Sequence, residues 1–148
     1  MSLRSSRTID ELAAVVFALD ATRLSARAIS ARLTTAIASW ALAKGWSLRT
    51  EARIELRTAD GRLQDYGFVD VIVRRGSGEP DLAIEIDQTD KPWSVAKLQY
   101  AMAMGMQAVW IRWSGADWTD VEGVHVIHLP EVEKEPAPRR APAQLAFW

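Results

Sequence analysis

Apolar and polar positions change period several times along this chain, and each change marks an element. From Ile9 to Leu19, Leu12, Val15, Val16 and Leu19 recur at helical spacing, with Thr8 and Glu11 placed as a capping box. A longer helix is predicted from Ser25 to Lys44, carried by Ala28, Ile29, Leu33, Ile37, Trp40 and Ala41. Ser25 suits its N-cap and Gly45 its stop. The period then drops to two. Trp46, Leu48, Ala52, Ile54 and Leu56 fall on one face of a strand, and Arg49, Glu51, Arg53, Glu55 and Arg57 on the other. Asp60-Gly61 marks a hairpin turn into a second strand, Tyr66 to Arg74. The loop Gly76 to Pro80 leads to a third strand, Asp81 to Asp87. A helix opens near Trp93 after Pro92, with Val95, Leu98, Met102 and Met106 on its apolar side. Ala108 to Trp113 reads as a buried strand and Val124 to Leu129 as a last short one. The order is α-α-β-β-β-α-β with a further strand. It predicts an α/β domain, a mixed sheet flanked by helices with a right-handed strand–helix–strand crossover.

Two of the strands carry acids where apolar residues are expected. Phe68 to Val73 holds Asp70, and Leu82 to Asp87 holds Glu85 and Asp87. A carboxylate in a strand buried on both faces is costly unless something compensates it. Glu85 and Asp87 are two apart and project from one face. With Asp70 on a neighbouring strand, three carboxylates would converge. Such an oxygen-rich set suits a hard divalent cation, Mg²⁺ or Mn²⁺. The contrasting reading is a solvated sheet face with its acids turned to water.

Composition narrows the classes. The 148 residues suffice for one domain, taken as 1–130, followed by a Pro-, Ala- and charge-rich tail, 131–148. The tail ends in Leu145-Ala146-Phe147-Trp148, which would dock on the domain or on a partner. Cysteine is absent, so disulfides and thiolate metal sites are excluded. No apolar run has the length of a membrane span or a signal peptide, and the expectation is a soluble, cytoplasmic protein. The formal net charge of −1 does not advertise a nucleic-acid binder. Its distribution is uneven: 12 Lys/Arg against 9 Asp/Glu up to residue 80, then 6 against 10. A bound cation would offset the acidic half.

Across Trp46 to Trp113, the strand order and the pattern Gly67-Phe68-Val69-Asp70 … Ile84-Glu85-Ile86-Asp87 resemble the PD-(D/E)XK nucleases, the restriction-endonuclease-like superfamily. The resemblance implies a metal-dependent endonuclease, a hydrolase of DNA phosphodiester bonds. Asp70 matches the family's metal-binding Asp, and Glu85 the acid of the second half-motif. Asp87 stands where the family usually has Lys. Glu51 matches an acid that many members place upstream. Lys97, on the following helix, matches the lysine that other members have moved there, while Lys91 lies nearer, in the turn with Gln88. The resemblance implies that Asp70, Glu85, Asp87 and the Ile86 carbonyl serve Mg²⁺ or Mn²⁺, with Lys97 neutralising phosphate charge. The alternative is a catalytically silent module of the same fold that binds nucleic acid or a protein. A domain this small has little room for base-reading elements, so specific recognition calls for a homodimer, a partner or a structural feature of the DNA.

The remaining candidates are weaker. Glu51 sits among Arg49 and Arg53, where a cross-strand ion pair competes with a metal role. His125 and His128 are three apart and would face opposite sides of a strand, so they read as ordinary residues. Of seven Trp, Trp40, Trp46 and Trp110 read as core, and Trp93, Trp113 and Trp118 as element ends near the site. Arg23, Arg27, Arg49, Arg53, Arg57, Arg74 and Arg75 are candidate phosphate contacts or plain surface.

Overall fold

The structure, a computed structural model, describes residues 3–114 and 118–130. The elements are α1 (Leu3–Phe17), α2 (Ala26–Ala43), β1 (Ser47–Arg57), β2 (Leu63–Arg74), β3 (Leu82–Asp87), α3 (Pro92–Ala103), β4 (Gln107–Trp113) and β5 (His125–Leu129). The strands form one open mixed sheet in the order β1-β2-β3-β4-β5. β1, β2 and β3 pair antiparallel, whereas β3, β4 and β5 pair parallel. The expected α/β class and element order therefore hold. The tail 131–148 lies outside the described residues. Among the described residues, no helix is long and apolar enough to cross a membrane.

Local chemistry explains most boundaries. Ser25 Oγ accepts from the Ala28 amide and caps α2. Pro92 opens α3, where a missing N–H costs nothing. Gly61, at φ 85°, turns the β1–β2 hairpin. α1 starts earlier than the capping-box reading predicts. Thr8 lies inside the helix and accepts from Arg75 Nη1 at 3.4 Å, and Glu11 instead pairs with Lys44 at 2.5 Å. The competing partners are tertiary, so a local cap rule misses them.

Helices cover the sheet on both sides. Leu12 and Val16 of α1 and Ile29, Leu33, Ile37 and Ala41 of α2 pack on Val71, Val73, Leu82, Ile84, Val109, Ile111 and Ile127. On the opposite side, Leu98 packs with Ala108 and Trp110, and Ala101 with Ala52, Ile54, Val69, Ile72 and Ala83. α3 thus forms the third layer.

The hairpin departs from simple alternation. Leu48 packs with the α1–α2 layer, yet Ala52 and Ile54, on the same alternation phase, pack with the α3 layer. Val71 and Val69 divide in the same way. The change of face falls at Glu51 and Asp70, between the pairs Thr50↔Val71 and Ala52↔Val69. Glu51 has φ 49°, a left-handed conformation unusual for a residue other than glycine. The predicted single apolar face of β1 is therefore two half-faces joined by a twist at an acid.

Candidate functional site

The site forms where β2 parts from β3. Their ladder pairs Val71–Val73 with Leu82–Ile84 and then stops. One step further, Asp70 would stand opposite Glu85. The Ile86 amide, which faces this opening, donates instead to Asp70 Oδ2 at 2.7 Å. A carboxylate thus takes over a backbone partner's place, and the strand edge stays satisfied where the ladder ends.

Glu85 is 1% exposed, and its Oε1 lies 2.6 Å from Lys97 Nζ. Lys97 also donates to the Phe68 carbonyl at 2.8 Å. Its stem crosses from α3 over Gly67, where a Cβ would stand 3.1 Å from it and 3.0 Å from the Trp93 ring. Close packing rather than φ favours glycine there, since a Cβ would press the Lys97 stem and the Trp93 ring to give by a few tenths of an ångström. Burial pushes the Glu85 carboxyl up to about 9, the neighbouring Asp70 adds to the rise, and Lys97 pulls it only partly back. Apart from the ammonium, Glu85 Oε1 has no hydrogen-bond partner among the described residues.

Asp70 also opens on the other side, into a cleft of about 270 Å³ lined by Ser30 and Thr34 of α2, Glu51 of β1 and Ile86 of β3. The structure therefore brings Asp70, Glu85 and Lys97 into contact and sets Glu51 along the same cleft. Lys97 is not a solvated helix position; its side chain is 13% exposed.

Asp87 is placed differently. It is buried, and its Oδ2 accepts from Trp110 Nε1 at 3.0 Å while Lys91 lies 3.5 Å from Oδ1. The expected convergence of three carboxylates is not seen. Among the described residues, no group of three or more His, Cys, Asp or Glu side chains stands ready to hold a metal ion. The physical reason is that Trp110, fully buried on β4, needs an acceptor for its indole N–H, and Asp87 supplies it.

Other sequence candidates also move. Arg75 is buried and donates to the Pro80 carbonyl and to Gln107 Oε1 at 2.8 and 2.7 Å, so it clamps the β2–β3 loop rather than facing a phosphate. Trp113 is buried in the α1–α2 layer instead of lying at a site edge, whereas Trp93 is 45% exposed. Trp110 is core, and Trp40 and Trp46 meet edge to face at 5.3 Å, partly buried. His128 packs against Trp118, with burial lowering its pKa, and is apart from the acids. Ser30 and Thr34 of α2 escaped sequence reading. Ser30 and Thr34 are one turn apart beside the buried Ile29–Leu33–Ile37 stripe, and that polar interruption was the available signal.

Comparisons with protein-family models, with curated proteins and with solved structures found no match.

Proposed function

We propose that this domain is a metal-dependent nuclease that hydrolyses DNA phosphodiester bonds, with a restriction-endonuclease-like core. The observation that carries this reading is the contact of Asp70 with Glu85 at the parting of β2 and β3, with the Lys97 ammonium beside them. The donor chemistry fits Mg²⁺ or Mn²⁺: both acids offer hard oxygens where the two strands part. Asp70 and Glu85 would hold the ion. When bound, it would polarise the scissile phosphate and lower the pKa of a water ligand.

The chain's own groups account for the rest. Lys97, fixed by the Phe68 carbonyl, is placed to neutralise charge that develops on the phosphate. Glu51, across the cleft from α2, is placed to orient water beside Asp70. Asp87 holds Trp110 and the turn lysine Lys91. Glu85 must lose its proton for a cation to bind, so metal affinity rises with pH and binding releases a proton.

A second reading is the catalytically silent module. The Lys97 ammonium, 2.6 Å from Glu85 Oε1, favours it, because it occupies an oxygen that a cation would need. Titration calorimetry with Mn²⁺, wild type beside Asp70→Ala, separates the two. Binding that the mutation removes, with proton release near neutral pH, supports the nuclease. Absence of binding with and without DNA would leave the silent module.

A further inference from the structure

The β1–β2 hairpin outruns the rest of the sheet. β2 pairs with β3 only at Val71–Val73, yet it continues with β1 as far as the Arg57–Leu63 pair. Residues 52–69 therefore form a two-stranded arm projecting from the acid site. One face of the arm is covered by α3. Ala52, Ile54 and Val69 pack with Ala101, and Gly67 lies under Trp93 and Lys97. By alternation, Tyr66 and Phe68 point to the opposite face. Both are 46% exposed and meet edge to face, with ring centroids 6.2 Å apart. The Arg53 guanidinium lies over the Tyr66 ring at 4.3 Å, and Arg53 pairs with Phe68 across the ladder.

Two adjacent exposed rings on a two-stranded arm are not explained by packing, because no described element covers them. We propose that this face binds single-stranded DNA by stacking unpaired bases on Phe68 and Tyr66, with Arg53 at the rim for the backbone. Three observations select that occupant. The rings are half-exposed and are not stacked on each other, so ring surface is left for a base. Beside the Tyr66 ring, Arg53 and Arg57 share the one Glu55 carboxylate at 3.2 and 2.5 Å, and two guanidiniums against one acid leave a net positive charge for a phosphate chain. The ladder also leads into the acids: Phe68 is two residues, about 7 Å along the strand, from Asp70, and its own carbonyl anchors Lys97. A duplex hides its base faces in its own stack, so unpaired bases are what such rings select. The inference deepens the nuclease reading and rests on it for the direction of the strand toward Asp70. It names the substrate class as single strands, flaps or gaps.

The test measures fluorescence anisotropy of a labelled oligothymidylate and of a labelled mixed-sequence duplex, in EDTA so that nothing is cut. The single strand should bind at least about tenfold more tightly than the duplex. Phe68→Leu keeps an apolar side chain but removes the ring, and should weaken single-strand binding about tenfold, while Phe68→Trp should retain it. Circular dichroism and urea unfolding confirm that these surface variants stay folded. Equal binding of duplex, indifference to Phe68→Leu, or no binding of either probe would overturn the proposal. The two readings fail separately. Metal-dependent duplex cleavage that is lost in Asp70→Ala and indifferent to Phe68→Leu keeps the nuclease and removes the stacking face. Phe68-dependent single-strand binding without metal-dependent cleavage keeps the stacking face and removes the nuclease.

Discussion

Toward β4, the parallel ladder of β3 runs from Leu82↔Gln107 to Asp87↔Arg112; toward β2, the antiparallel ladder ends at Ile84. An acid answers to each border. Asp87 is tied to Trp110 of β4 inside a closed ladder. Glu85, two residues earlier on the same strand, adjoins Asp70 of β2 where the ladder has opened. The same residue class thus serves packing on one side and concentrates charge on the other. The difference lies in the backbone: a closed ladder leaves a carboxylate only side-chain donors, whereas an open one also supplies an amide and room for a second acid.

The sharpest way to break this contrast is kinetic. Asp70→Ala and Glu85→Ala should each cut metal-dependent cleavage on the order of a thousandfold, several kcal/mol of transition-state stabilisation. Asp87→Asn keeps an acceptor for Trp110 and should fall by no more than about tenfold. Single-turnover cleavage compares the three, and an equal loss in Asp87→Asn would place all three acids in one site.

Next in size is the pH profile of stability. The folded chain holds the Glu85 proton up to about 9, whereas the unfolded chain releases it near 4.5. The contribution is therefore fully present below 4.5 and is lost as pH rises toward 9. Urea unfolding across that window should show the decline in wild type and a flatter curve in Glu85→Gln. Identical slopes would mean that Lys97 already keeps the acid ionised.

Lys97→Met removes a donor from Glu85 and from the Phe68 carbonyl and, with Glu85 protonated below about 9, should destabilise the fold by about 1 kcal/mol near neutral pH. The Glu85→Gln/Lys97→Met double variant should lose little more, since the protonated acid and the amide that replaces it are both uncharged. Additive losses in that cycle would show the pair to be uncoupled.

The smallest effect belongs to the twist. Glu51→Gly relieves a left-handed backbone and should add up to about 1 kcal/mol of stability while weakening Mn²⁺ binding if Glu51 serves the cleft. A loss of stability would show that the side chain itself holds the crossing.

Much of this was legible in the sequence, and the parts that were not share a cause. Asp70 and Glu85 stood out because charge interrupts β-branched apolar runs, and burial of Glu85 bears out that signal. Lys97 could be named through the family resemblance, but its depth could not, because that depends on the packing over Gly67. The crossing of faces at Glu51 and Asp70 was invisible to a period-two reading, which assumes that a strand keeps its faces. Arg75 and Asp87 misled for another reason. Each is claimed by a partner distant in sequence, Gln107 and Trp110, and no local pattern announces such a claim.

Gly67 gives the site a property that its charged residues do not. The lysine reaches the acid because the strand below its stem carries only hydrogen, with Trp93 and the Lys97 methylenes filling that space at 3.0 and 3.1 Å. Position 67 is thus a spacer of zero thickness that sets how far an ammonium on one layer extends into another. The site's electrostatics are gauged by the volume of an uncharged residue, and one methyl group is the unit in which that gauge is read.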